Sequence, residues 1–260
     1  MFEATGIRVA LNRAEVLSGV DFVANPGAVT AIVGPNGSGK TTLLRAMTGD
    51  VAYSGTIRLD GQDIARLKPW ALAERRAVLP QASRLAFPFT VHEVVRIGLT
   101  HNARKDHPGL VTDALARVGL GGFEGRFFHE LSGGEQQRVQ LARVLVQVWD
   151  PIAGGQARWL FLDEPVASLD IAHQLEVMEI ARRFAQTGGG VIAVMHDLNL
   201  TAMFADSVAL LAAGKVVVQD TPETVFVDAS LSHAYGCQIR VNTLPPDGGT
   251  YILPHAAALD

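Results

Sequence analysis

Apolar positions along this chain follow two periods, and the switching between them predicts the fold. AVTAIVG (28–34), RWLFLDEP (158–165) and GVIAVMHD (190–197) are short, β-branched and almost without polar interruption, so they read as buried strands. SGTIRLDG (54–61) alternates between turn residues and reads as a hairpin strand, and SVALLAAGKVVVQD (207–220) reads as two strands joined at a Gly-Lys turn. KTTLLRAMTG (40–49) takes the helical period, with Gly49 as its C-cap. Strands that alternate with helices in this way predict an α/β fold built on a mostly parallel sheet.

Between Pro88 and Asp150 the texture becomes helical in TVHEVVRIGL, LVTDALARVGL and GEQQRVQLARVLVQVW. This predicts a helical subdomain, residues 88–150, inserted into one domain that spans 1–260. Residues 221–260 read as a helix start followed by a short hairpin and tail. The most apolar stretch, residues 191–214, is broken by His196, Asp197, Asn199 and Asp206, so no spanning helix is expected. The chain has 260 residues, 48% of them hydrophobic and 18% charged, as in ordinary globular proteins. A net charge of −4 argues against a nucleic-acid surface. The single cysteine, Cys237, permits no intrachain disulfide and suits a reducing compartment, and the charges scattered through residues 1–16 lead us to expect no signal peptide.

The sharpest chemistry lies at GPNGSGKTT, residues Gly34, Pro35, Asn36, Gly37, Ser38, Gly39, Lys40, Thr41 and Thr42. It fits G-x-x-x-x-G-K-[ST] between a strand and a helix. Glycines let successive N–H groups face phosphate oxygens, Lys40 reaches the β/γ-phosphates and Thr41 offers its hydroxyl to Mg²⁺. The bland alternative, a Gly-rich turn that happens to hold a lysine, does not require this context. Such a loop needs an acidic partner on a neighbouring strand, and WLFLDEP supplies Asp163 for Mg²⁺ and Glu164 to polarise the attacking water. Alone, Asp163 and Glu164 would read as a solvated strand end. His196 follows VIAVM and Gln81 follows VLP, so both stand where strand ends converge on phosphates. By itself His196 would more often be a core or surface residue, and Gln81 a bland surface glutamine.

A second anion-ready segment, LSGGEQQR (131–138), raises the question of what it serves. Ser132 and Glu135 stand at capping-box spacing, which explains a helix start and nothing more. Gly133 and Gly134 add bare N–H groups open to a large anion.

GPNGSGKTT, Gln81, LSGGEQQ, WLFLDEP, ASLD (167–170) and His196 come in the order and approximate spacing of an ATP-binding cassette protein, and the chain resembles that family over nearly its whole length. The resemblance implies a P-loop NTPase (RecA-like) core, an N-terminal antiparallel β subdomain and the inserted helical subdomain. It implies ATP and Mg²⁺ as cofactors and a homodimer paired head to tail. Each ATP would then lie between one Gly34–Thr42 loop and the partner's helix start at Ser132, Gly133, Gly134, Glu135 and Gln136. Carried over residue by residue, Glu164 is the base, His196 the switch, and Gln81, Thr41 and Asp163 serve the metal. Asp170 resembles the family's dimer-contact Asp. Two places depart from the family: Leu11 stands where it usually has an aromatic against adenine, and the loop after Glu164 reads EPVASLD.

The apolar cluster Leu85, Phe87, Pro88 and Phe89, next to Thr90 and Glu93 at capping-box spacing, is similar to the groove that receives a permease helix; some of these aromatics would serve only to pack the insertion. AFPFTVHEVV is similar to importers of ferric siderophores, haem and cobalamin. The added loop in VLVQVWDPIAGGQARWLFLDEP, with LDIAHQLEVM, resembles the haemin-import ATPases. The expectation is an importer ATPase for haemin, with ferric siderophore or cobalamin as sibling alternatives. Its expected partners are two copies of an integral membrane permease and, indirectly, a periplasmic or lipid-anchored substrate-binding protein, at the cytoplasmic face of the inner membrane. The rival class, soluble cassette ATPases acting on DNA or ribosomes, carries long coiled-coil heptads or two cassettes per chain, and this sequence has neither. A P-loop kinase would have no use for LSGGEQQ.

Overall fold

The computed structural model describes residues 1–12, 14–81, 87–99, 107–245 and 248–256. Ahead of the helical segment come β1 (Phe2–Leu11), β2 (Ala14–Ala24), β3 (Val29–Val33), β4 (Ser54–Leu59), β5 (Gln62–Asp63) and β6 (Arg76–Leu79). After it come β7 (Ile152–Ala153), β8 (Gln156–Ala157), β9 (Trp159–Asp163), β10 (Gly190–Val194), β11 (Ser207–Ala212) and β12 (Lys215–Asp220). The helices are α1 (Lys40–Met47), α2 (Pro69–Arg75), α3 (Val91–Ile97), α4 (Leu110–Arg117), α5 (Gly133–Gln147), α6 (Ile171–Gln186), α7 (Leu198–Phe204), α8 (Pro222–Val225) and α9 (Asp228–Tyr235).

The central sheet has the order β12-β11-β3-β10-β9-β6 and is parallel except for β12, which pairs antiparallel with β11. Every residue of β3, β9 and β10 is buried, because both faces of the sheet are covered. Alternate residues feed two cores. Val29, Ala31, Val33, Leu160 and Leu162 join the core shared with α3, α4, α5 and α6. Ile32, Phe161, Ile192 and Val194 join the core shared with α1 and the antiparallel sheet β2-β1-β4-β5. Phe2 pins that small sheet to β9, with ring centroids 5.8 Å from Trp159 and 5.3 Å from Phe161. Burying each such ring contributes about 1.5–3 kcal/mol.

Between β6 and β9 the chain forms α3, α4 and α5. Thr90 and Glu93 close a full capping box on α3. Gly98, just past α3, lies hard against α5: a Cβ there would stand 1.9 Å from the Arg143 carbonyl oxygen. Among the described residues no helix is long and apolar enough to cross a membrane.

Four local expectations need correction. The acidic strand β9 is not beside β3, because β10 lies between them and both pair with it. Among the described residues of 221–256 there is no hairpin; α8, α9 and a 3₁₀ turn at Pro254–Ala256 occupy that span. There the apolar run Tyr251–Leu253 ends at Pro254 and is largely exposed, with no strand beside it to complete a ladder. The β11–β12 turn centres on Ala213 and Gly214, both at positive φ (47° and 74°), and Lys215 already belongs to β12. Thr48 is the cap of α1, and Gly49, at φ 71°, stands one residue beyond it. Leu85 of the apolar cluster lies outside the described residues.

Candidate functional site

The loop after β3 owes its path to glycines that no other residue can replace. Gly34 has φ 149°, and a Cβ on it would fall 2.0 Å from the Leu211 carbonyl oxygen. Gly39, at φ 104°, caps α1 without any side-chain hydrogen bond. The N–H groups of the first turn of α1 therefore stay open to an anion. Lys40 is almost fully buried, and its Nζ donates to the carbonyls of Gly34 (2.8 Å) and Pro35 (3.1 Å). Burial holds the Lys40 ammonium below its ordinary range, while Glu164 and Asp163 act against that shift. Ser38 Oγ is buried and has no hydrogen-bond partner among the described residues. An unsatisfied hydroxyl in a glycine cradle beside a buried lysine fits a phosphate ligand.

The other side chains arrive from strand ends. Thr41 Oγ1 lies 3.2 Å from Asp163 Oδ1, so α1 meets the end of β9 even though β10 separates their strands. Asp163 is 4% exposed. Burial pushes its carboxyl up from the ordinary value, the Thr41 hydroxyl opposes this, and Glu164 adds to it. The next residue, Glu164, takes φ 53°, a left-handed backbone that costs a side-chain-bearing residue about 1–3 kcal/mol. Its carboxylate is held on both oxygens: His196 Nε2 lies 2.5 Å from Oε1, and Gln81 Nε2 donates to Oε2 at 2.8 Å. Asp163 and Thr41 are two hard oxygen donors side by side, a set that suits Mg²⁺.

The helix start at Ser132–Gln136 is not hydrogen-bonded to the Gly34–Thr42 loop among the described residues. Ser132 Oγ accepts from Glu135 N at 3.3 Å, and Glu135 Oε2 accepts from Ser132 N at 2.8 Å. The Ser132 hydrogen bonds hold the Glu135 carboxyl below its ordinary range. Gln136 turns its amide back to the Leu131 carbonyl at 3.0 Å. Gly133 has open space where a Cβ would be, whereas a Cβ on Gly134 would meet Leu169 Cδ2 at 3.2 Å. Asp170 caps α6, and its Oδ1 lies 2.7 Å from His173 Nδ1. Leu11 ends β1 and is half-exposed.

Several neighbours of the site were given no role by the sequence. Leu17 Cδ2 and the Val16 carbonyl lie 2.8 and 3.3 Å from where a Gly39 Cβ would be, so β2 braces the loop. Burial pushes the Tyr235 hydroxyl up and the nearby Gly34 backbone acts against it, which brings the end of α9 near the loop. Gln137 and Gln174 bond the main chain between Glu164 and Leu169.

A family profile described as ABC transporter matches residues 17–167. The chain is 66% identical over 257 residues to the "Hemin import ATP-binding protein HmuV" of Jannaschia sp. (strain CCS1), covering 99% of this chain and 95% of that protein. It is 62% identical to the protein of the same name from Roseobacter denitrificans, covering 98% of each. Among solved structures, cbiO1 from Clostridium perfringens, titled as part of the ABC transporter complex cbiONQ, superposes with a TM-score of 0.73 at 26% identity, covering 89% of this chain and 92% of that one. A nucleotide-free ATP-binding cassette from an ABC transporter gives 0.77 at 21% identity, covering 90% and 98%, and speaks for the fold alone. With the profile covering more than half its length and such relatives matched nearly end to end, this chain belongs to the ABC transporter family.

Proposed function

We propose that this chain is the ATP-hydrolysing subunit of a haemin importer, working as a homodimer against two copies of a membrane permease at the cytoplasmic face of the membrane. The hydrogen-bonded cluster Gln81–Glu164–His196 beside the phosphate loop carries the hydrolytic part of this reading. The near full-length identity to proteins named for hemin import supports the cargo. The permease docks by this reading on the surface around Phe87 and Phe89, where Phe87 is strongly exposed.

The chain's residues divide the work. Backbone N–H groups of residues 36–42 and the Lys40 ammonium bind the β- and γ-phosphates. Lys40 releases the Gly34 and Pro35 carbonyls as it turns to the phosphate oxygens. Thr41 and Asp163 are the residues that would hold Mg²⁺, which when bound supplies charge neutralisation at the β- and γ-phosphate oxygens. Glu164 accepts the proton of the attacking water through a carboxylate oxygen, and His196 Nε2 holds that carboxylate and the γ-phosphate in register. Gln81, bonded to Glu164 Oε2, ties this chemistry to the segment leading toward Phe87. The partner's Ser132–Gln136 helix start closes over the same phosphates, so ATP-driven dimer closure completes the site and hydrolysis follows it.

The test is uptake of labelled haemin, ferric siderophore and cobalamin in cells carrying Glu164→Gln in place of the native chain. Loss of haemin uptake alone supports the proposal. Loss of a different cargo keeps the motor and moves the assignment to a sibling importer. No loss of any cargo overturns the permease reading.

A further inference from the structure

Resting on the reading of Glu164 as the base, we propose that Gln137 is a positioning residue through which the helix α5 of one subunit sets that subunit's own catalytic carboxylate. Gln137 Nε2 donates to the carbonyl oxygens of Glu164 (3.2 Å) and Pro165 (2.6 Å). These are the first two carbonyls after the left-handed turn at Glu164, φ 53°. A residue before proline is sterically driven toward extended backbone, so this turn needs support from outside. Glu164 N donates to the Val194 carbonyl at 3.1 Å, which fixes one side of the residue; Gln137 fixes the other. Further along, Gln174 Nε2 holds the carbonyls of Val166 (3.2 Å) and Leu169 (3.1 Å) from α6. The loop after the catalytic residue is thus clamped by two glutamine amides, one from each flanking helix.

The two clamps differ in what they connect. Gln174 belongs to the helix that follows the loop in sequence, whereas Gln137 comes from α5, whose first turn is read as meeting the partner's nucleotide. A cleft of about 180 Å³ separates the start of α5 from the Gln81 segment, lined in part by Gln81, Gln136, Gln137, Gln140 and Ser168. Across that polar gap Gln137 is a direct bond from the helical segment to the main chain of the base. A shift of α5 toward a phosphate then moves Glu164 in the same subunit, and withdrawal releases it.

The test measures steady-state ATPase of the full-length protein with Mg²⁺-ATP, together with thermal unfolding. Gln137→Leu keeps the volume and removes the donor; Gln137→Glu keeps the shape and sets a carboxylate against two carbonyls. Both are expected to lower kcat by about ten- to a hundred-fold, the scale of a small misplacement of a catalytic group, with KM for ATP within about three-fold. Gln137→Lys, which restores a donor, is expected to recover much of kcat. In a Glu164→Gln background Gln137→Leu should cost nothing more, because both act on one group. If Gln137→Leu fails to fold, the shorter amide of Gln137→Asn decides on the same criteria. An unchanged kcat, a loss expressed only in KM, or additive losses in the double variant overturns the proposal. Its failure stays distinct from failure of the base reading, which would show as an unchanged kcat in Glu164→Gln alone.

Discussion

His196 Nε2 lies 2.5 Å from Glu164 Oε1, so the chain just beyond β10 grips the residue just beyond β9. The contact follows from the sheet order, since β9 and β10 are paired neighbours whose ends Asp163 and Val194 lie side by side. Glu164→Gln should keep ATP binding, lower kcat by about 10²–10⁴-fold and trap an ATP-bound dimer. His196→Ala should show a comparable loss of kcat. Turnover assays and size-exclusion chromatography with ATP check both, and unchanged turnover in Glu164→Gln would remove it as the base.

Lys40→Ala should act earlier, on binding. The ammonium bridges the Gly34 and Pro35 carbonyls, so it already lies within its own loop. Losing a charged donor to phosphate costs about 2–3 kcal/mol, roughly a thirty- to 150-fold weaker Kd for ATP. Fluorescent-nucleotide titration reads this directly, and ATP-driven dimerisation should fail with it.

Much of this site was legible because each motif sits at a strand end, and strands announce themselves by apolar runs. VTAIV, WLFLD and GVIAV are buried at every residue, so Gly34 and His196 follow their strands, and Asp163 ends its own, at known places. Strand order was not legible, since nothing in those runs says that β10 inserts between β3 and β9. The expectation that β9 neighbours β3 failed for that reason. The role of Gln137 was equally hidden: within LSGGEQQ it is one of two adjacent glutamines in α5, and only the fold turns one to Leu131 and the other to Glu164. The hairpin expected within residues 221–260 is absent among the described residues, because an apolar run makes a strand only when a partner edge is there to bond it.

Gly39→Ala should damage the loop from beneath. The residue stands at φ 104°, and the added methyl would meet Leu17 Cδ2 at 2.8 Å. Backbone strain and overpacking together cost about 2–4 kcal/mol. The unfolding temperature should fall and ATP affinity with it, since α1 can no longer start in place. Differential scanning fluorimetry with and without ATP separates the two effects.

Asp163→Asn should stabilise the fold while stopping hydrolysis. Burial raises the Asp163 carboxyl above its ordinary value of 3.8, so the folded chain favours the neutral form. The stability contributed by that preference is full below the ordinary value and is lost as pH rises through the folded one, leaving a cost at neutral pH. Asparagine carries no such charge. The variant's Tm at pH 7.5 should exceed that of the native chain, read by differential scanning fluorimetry without nucleotide. The gap should narrow as pH is lowered toward the raised carboxyl value. A gap that widens instead would mean that burial is not what governs this group.

Gly133→Ala tests whether the α5 helix start serves a partner's nucleotide. Nothing lies within 4 Å of the methyl it would add, and Gly133 is not at positive φ. Within one subunit the change is therefore sterically free, and alanine is the better helix former by up to about 1 kcal/mol. If Gly133 only begins a helix, stability and turnover stay level or rise. If its bare N–H must face a phosphate across the dimer, the methyl stands in the approach of that anion. Unfolding of the ATP-free chain should then be unchanged and single-subunit ATP binding retained, while ATP-driven dimerisation and kcat fall by about ten-fold or more, as for loss of one charge-assisted hydrogen bond. A Gly133→Ala protein with full turnover and normal dimer formation would confine Ser132–Gln136 to a structural cap.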